Sequence, residues 1–114
     1  MVRGSTPRHT FTLPFEPPQG TEFRIVYAQG EENNEVVLFE RTTNTCTIDG
    51  RKVSVRLTQA ETLLFDCTPH YYDGKYEPYP IWIQIGCKTP GDEILWSNII
   101  KTTVERCLKK DGVV

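Results

Sequence analysis

Two histidines, four cysteines and a cluster of tyrosines are the side chains of this sequence with the greatest scope for chemistry. His9 stands near the start, and His70 lies inside the tyrosine-rich stretch Asp66–Pro80. A serine or cysteine nucleophile needs a base beside it, and an imidazole serves as one only in the right geometry. No spacing in the chain brings either histidine to such a partner, so both read as surface or structural residues. The adjacent carboxylates Glu31-Glu32 and Asp92-Glu93 fall in turn sequences and read as solvated charge. A glycosidase instead needs two carboxylates set across a cleft. The chain has no glycine-rich phosphate loop, no HExxH and no GxSxG. The expectation is a non-enzyme, with no catalytic residue and no cofactor assigned.

Cys46, Cys67, Cys87 and Cys107 are spread about one strand and turn apart, without a CxxC or CxH pair. Zinc sites draw two ligands from one tight knuckle, so no metal site is expected. The thiols read as reduced and unpaired, in core or semi-buried positions, with one disulfide as the alternative.

The segment Asp66–Pro80 (DCTPHYYDGKYEPYP) is the candidate interaction surface. His70, Tyr71, Tyr72, Tyr76 and Tyr79 are its contact residues, in a stretch stiffened by Pro69, Pro78 and Pro80. Tyrosine offers a large contact area at low entropic cost, and loops on a rigid scaffold tend to carry function. The composition predicts a long loop without regular structure, which is either functional or packed over the open end of a core. Exposed rings also stack on sugars or single-stranded nucleic acid. The net charge of -2, from 13 basic and 15 acidic residues in no segregated run, argues against nucleic acid. A carbohydrate or other small ligand remains the alternative to a protein partner.

The elements that must position these residues are strands. Thr10–Phe15 alternates Phe11, Leu13 and Phe15 with polar residues, and Pro14 marks it as an edge. Phe23–Gln29 and Glu35–Arg41 follow, and the apolar run of the latter predicts cover on both faces. Asp49-Gly50 predicts a hairpin between Thr45–Ile48 and Lys52–Leu57. Thr58 and Glu61 have capping-box spacing and predict one helical turn near 58–64. Ile81–Cys87 is an apolar β-branched strand, and Pro90-Gly91-Asp92 is a turn. Ile94–Leu108 is a last strand with a break at Ser97-Asn98; a short helix over 99–108 is the alternative, disfavoured by β-branched residues. Trp82 and Trp96 fall in these last strands, where they read as core packing or, if exposed, as a subunit interface.

The turn spacing predicts an all-β fold, a seven-stranded immunoglobulin-like β-sandwich in one domain over 1–114. Residues 1–8 are expected to be a flexible lead-in and 109–114 a fraying tail. No apolar stretch approaches the ~20 residues that span a bilayer, and MVRGSTPRHT lacks the apolar block of a secretory signal. Membrane partners are therefore not expected.

Several segments together resemble a family of small proteins encoded among the virion structural genes of prophages in Gram-positive bacteria. They are Thr6-Pro7 with His9–Phe15, Arg24–Gln29, Val55–Thr62 with Phe65, Ile83-Gln84, and Ser97–Lys101. The resemblance implies a non-catalytic, virion-associated or assembly component, located in the host cytoplasm or the assembled virion. Its implied partners are other virion proteins or further copies of itself. The extended Asp66–Pro80 segment departs from the family pattern, which passes from Phe65 to the Ile83-Gln84 strand through a short connection. Partner strands add to the exposed edges of sandwiches, and Thr10–Phe15 and Glu35–Arg41 are the edges expected to accept them.

Overall fold

A computed structural model describes all residues, 1–114. Its strands are β1 (Arg8–Thr12), β2 (Glu22–Gln29), β3 (Val36–Thr42), β4 (Thr47–Asp49) and β5 (Lys52–Arg56). After the helical turn α1 (Gln59–Thr62) come β6 (His70–Tyr72), β7 (Lys75–Glu77), β8 (Ile81–Lys88), β9 (Ile94–Trp96) and β10 (Ile100–Thr102). No helix is long and apolar enough to cross a membrane.

The spine is the antiparallel pair of β2 and β8, joined along their whole lengths from Glu22↔Lys88 to Gln29↔Ile81. Both are dominated by β-branched and aromatic residues, which pack well on a pleated surface. β3 flanks β2, while β9 and β10 share the far edge of β8. A smaller sheet has the order β1-β5-β4. The inward residues of both sheets form one cluster, with Ile25, Tyr27, Ile81 and Ile83 from the larger meeting Phe11, Val53 and Val55 from the smaller. Leu57 and Phe65, on either side of α1, belong to the same core. Fully burying one such side chain contributes about 1.5–3 kcal/mol, so this two-sided cluster is what joins the sheets.

Ten short strands form three antiparallel sheets, where the turn spacing predicts seven strands. Their order, however, is not that of an immunoglobulin domain. That fold groups its first, second, fourth and fifth strands against its third, sixth and seventh. Here the second strand, β2, leaves that group and lies between β3 and β8. The place beside β1 is taken by β5, through His9↔Val55 and Phe11↔Val53.

The local signals hold with small adjustments. The capping box is complete, with Glu61 N–H donating to Thr58 Oγ1 (3.1 Å) and Thr58 N–H donating to Glu61 Oε1 (2.8 Å). In the β4–β5 hairpin Asp49 pairs with Lys52, so the turn residues are Gly50 and Arg51, with only Gly50 at positive φ (58°). The end of the chain is strand at Ile100–Thr102, not helix. The break falls after Trp96: from Gly86↔Trp96 to Ile83↔Ile100, three steps on β8 are matched by four on the edge. This is a β-bulge, in which Ile85 N–H donates to the Ser97 hydroxyl. In β3, contrary to the expected two-sided cover, Val36 and Val37 are exposed. Leu38 and Phe39, further along the strand, are the residues of β3 that pack against the core.

Residues 1–8, expected as a flexible lead-in, are bound to the rest of the fold. Arg3 donates to the carbonyls of Leu63, Phe65 and Lys110, and the Gly4 N–H donates to Thr62 Oγ1. Gln59 bridges Gly4 and Gly112 through their carbonyls, which also ties the expected C-terminal tail to α1. The Arg3 contact to Leu63 also satisfies the carbonyl of the residue that ends α1.

Candidate functional site

Asp66–Pro80 is not an irregular loop. His70–Tyr72 and Lys75–Glu77 pair as a hairpin, with Asp73 and Gly74 at its tip. Both tip residues have positive φ (48° and 73°), the condition for a type I′ turn. This Asp-Gly dipeptide carries the same signal as Asp49-Gly50, but Pro69, Pro78 and Pro80 surround it and obscure the short strands. The hairpin pairs with no other strand, and a Cβ added at Gly74 would meet nothing within 4 Å. It therefore stands out from the two larger sheets.

Alternation along the hairpin divides the five candidate residues into two groups. Tyr71 and Tyr76 are directly opposite each other on one face and are 75% and 72% exposed. On the other side His70 stacks on Tyr79 with ring centroids 4.2 Å apart and planes 6° from parallel. Tyr72 leans on the same Tyr79 ring at 5.1 Å, and its hydroxyl donates to the Pro78 carbonyl. Burial, with Glu77 nearby, raises the Tyr72 hydroxyl above its ordinary pKa. His70 Nε2–H donates to Asp66 Oδ2 at 3.3 Å. Asp66 also accepts from the Thr68 N–H, the main cause of its lowered carboxyl pKa. His70, Tyr72 and Tyr79 thus brace the hairpin, whereas Tyr71 and Tyr76 are presented to solvent.

The residue that holds the hairpin to the larger sheet is Gln29, at the end of β2. Its Nε2 donates to the carbonyls of Asp66 (2.7 Å) and Tyr79 (3.1 Å), and its Oε1 accepts from the Asp66 N–H (2.7 Å). One buried amide therefore pins both ends of the segment. A buried glutamine without partners would be costly, and this one is satisfied on both its donor and acceptor sides. The only hint in the sequence is a glutamine at the inward register of a strand.

The other chemistry-bearing residues lie apart from this site. His9 Nδ1 and the Tyr27 hydroxyl share a hydrogen bond of 2.8 Å at the edge of the core. Burial lowers the His9 pKa and raises that of Tyr27. The four cysteines are unpaired, and burial pushes the thiols of Cys46, Cys67 and Cys87 up, away from the reactive thiolate. No three His, Cys, Asp or Glu side chains are grouped as metal ligands. Two surface grooves of about 680 and 710 Å³ contain neither a histidine nor a tyrosine.

Trp82 and Trp96 are not paired with one another. Trp82 is opposite Lys101, whose Nζ stands 5.6 Å from the ring centroid, and its Nε1 donates to the Gly30 carbonyl. Trp96 is opposite Gly86 and lies over its backbone so closely that a Cβ there would come within 2.5 Å of the indole. One indole face is covered by glycine, and the residue as a whole is half exposed. No protein-family model, curated protein or solved structure matches this chain.

Proposed function

We propose that this chain is a non-catalytic interaction module, a phage-derived structural or assembly protein that works by protein–protein contact. The observation carrying this reading is the exposed Tyr71–Tyr76 pair on a hairpin that Gln29 anchors to the sandwich. Two large rings held on a braced support contribute contact area without a loop having to become ordered on binding. The immunoglobulin-like description is kept for the two-layer architecture alone. Its support is the two larger sheets sharing one core, while the strand order is the chain's own.

A carbohydrate ligand is the second reading, favoured by the same two rings, whose exposed faces suit a sugar. The test is capture of virion proteins or glycans on the immobilised chain, with and without Tyr71→Ser and Tyr76→Ser together. The double change abolishes capture of phage portal, capsid or tail proteins. Undiminished capture without the two rings removes the hairpin from the function, and loss of glycan capture alone favours the second reading.

A further inference from the structure

We propose that two copies of this chain join through the β9–β10 edge to make one continuous sheet. The proposal shares the protein-contact reading above but uses a different surface. No strand lies beyond β9 and β10, so their outer backbone groups face no strand. The stretch Ile94–Ile100 (ILWSNII) contains no charge, and Ile94, Leu95, Trp96, Ile99 and Ile100 are all exposed. An exposed apolar edge without charge is a template for a further strand.

The occupant follows from the pleat. Residues opposite each other in an antiparallel pair share a face, so a self-pairing works only if inward residues meet inward ones. Leu95 is opposite Cys87 and Ile100 is opposite Ile83; both partners belong to the core, so Leu95 and Ile100 are on the inward face. Ile94 and Lys101, opposite Lys88 and Trp82, are on the outward face. The bulge at Ser97–Ile99 produces this arrangement by shifting the alternation by one residue.

Antiparallel pairing about an axis between Ser97 and Asn98 then satisfies both faces. Leu95 meets Ile100 of the second copy, Trp96 meets its Ile99, and Ile94 meets the aliphatic stem of its Lys101. Each contact occurs twice, and the partly exposed Leu95 and Ile100 extend the core across the axis. The opposite edge can match its faces only by setting apolar residues against charged ones. Face-matched self-pairing of β3 sets Val37 against Glu40 and Val36 against Arg41, an apolar residue against a charge each time.

The test is the mass of the full chain in solution by light scattering across a concentration series, with edge amide exchange read alongside. The intact protein gives a mass of two 13.1 kDa chains, with slowed exchange at Ile94–Lys101. Ile94→Lys with Ile99→Lys, both at exposed positions, reduces the mass to one chain and leaves the circular dichroism unchanged. Val36→Lys with Val37→Lys, and Tyr71→Ser with Tyr76→Ser, leave the dimer mass intact. A monomer at every concentration overturns the proposal, as does a dimer indifferent to the β9–β10 lysines. If dimerisation instead fails in the Tyr71/Tyr76 variant, the copy contact lies on the hairpin and the edge proposal is wrong. Loss of virion-protein capture without a change in mass bears only on the function proposed above.

Discussion

Arg41 and Glu61 form a largely buried ion pair, with the guanidinium 2.7 Å from Glu61 Oε1 and the side chains 13% and 18% exposed. The same oxygen accepts from the Thr58 N–H, so one carboxylate both caps α1 and holds β3 to it. Arg41 also donates to the Arg56 carbonyl and the Thr45 hydroxyl, which draws three parts of the chain together.

This sharing orders the effects of three substitutions. Thr58→Ala removes the cap alone and costs about 1 kcal/mol. Glu61→Ala costs more, about 2–4 kcal/mol, because it also leaves Arg41 uncompensated in a poorly solvated place. Arg41→Met keeps the aliphatic packing and falls between the two. Urea denaturation midpoints measure all three, and a Glu61→Ala loss no larger than that of Thr58→Ala counts against the shared role.

Gln29→Leu preserves bulk but removes three hydrogen bonds from the base of the hairpin. The expected cost is about 1.5–4 kcal/mol, at ordinary values per hydrogen bond. Faster amide exchange appears first between residues 66 and 80, below the level of global unfolding. Uniform loosening of the whole chain, with no excess at 66–80, is the outcome that sinks the anchor.

Gly86→Ala puts a methyl where the Trp96 ring lies. The indole leaves its place on β8, at a cost of about 1–3 kcal/mol for overpacking. Near-ultraviolet circular dichroism of a Trp82→Phe background reports Trp96 alone. A spectrum identical with and without the alanine contradicts the close approach.

The pH dependence near neutrality follows from His9. Its folded pKa lies below 6.5 because burial disfavours the charged ring, so the unfolded chain binds the proton more readily. Stability is therefore full above about pH 6.5 and is lost as pH falls toward the lower, folded value. Denaturant midpoints between pH 7.5 and 5.5 decline in the parent protein, and less so in His9→Gln. Equal slopes exclude His9 as the cause. Asp66, with its pKa lowered by hydrogen bonding, weakens the fold only in more acidic solution.

Short-range order was legible wherever it depends on backbone torsions or on a period of two. The alternation of Val53, Val55 and Leu57, the Thr58–Glu61 box and the interruption at Ser97-Asn98 all occur as their local chemistry requires. The Asp73-Gly74 hairpin was legible by the same rule and was hidden by the neighbouring prolines. Its rings could be picked out as a surface, but their division could not. That division depends on which of them face the Tyr79 ring.

By itself, then, the sequence determined an all-β chain with one helical turn, the places where strands begin and end, and the tyrosine-rich segment as the candidate surface. Only the tertiary structure decided that β5 pairs with β1 and β2 with both β3 and β8. It also decided that Gln29 anchors a hairpin 37 residues away and that Arg41 meets Glu61. The reason is physical. Torsional preferences and side-chain alternation act within a few residues, whereas strand order and buried polar pairing are selected by the shared core and the need to satisfy every buried donor and acceptor.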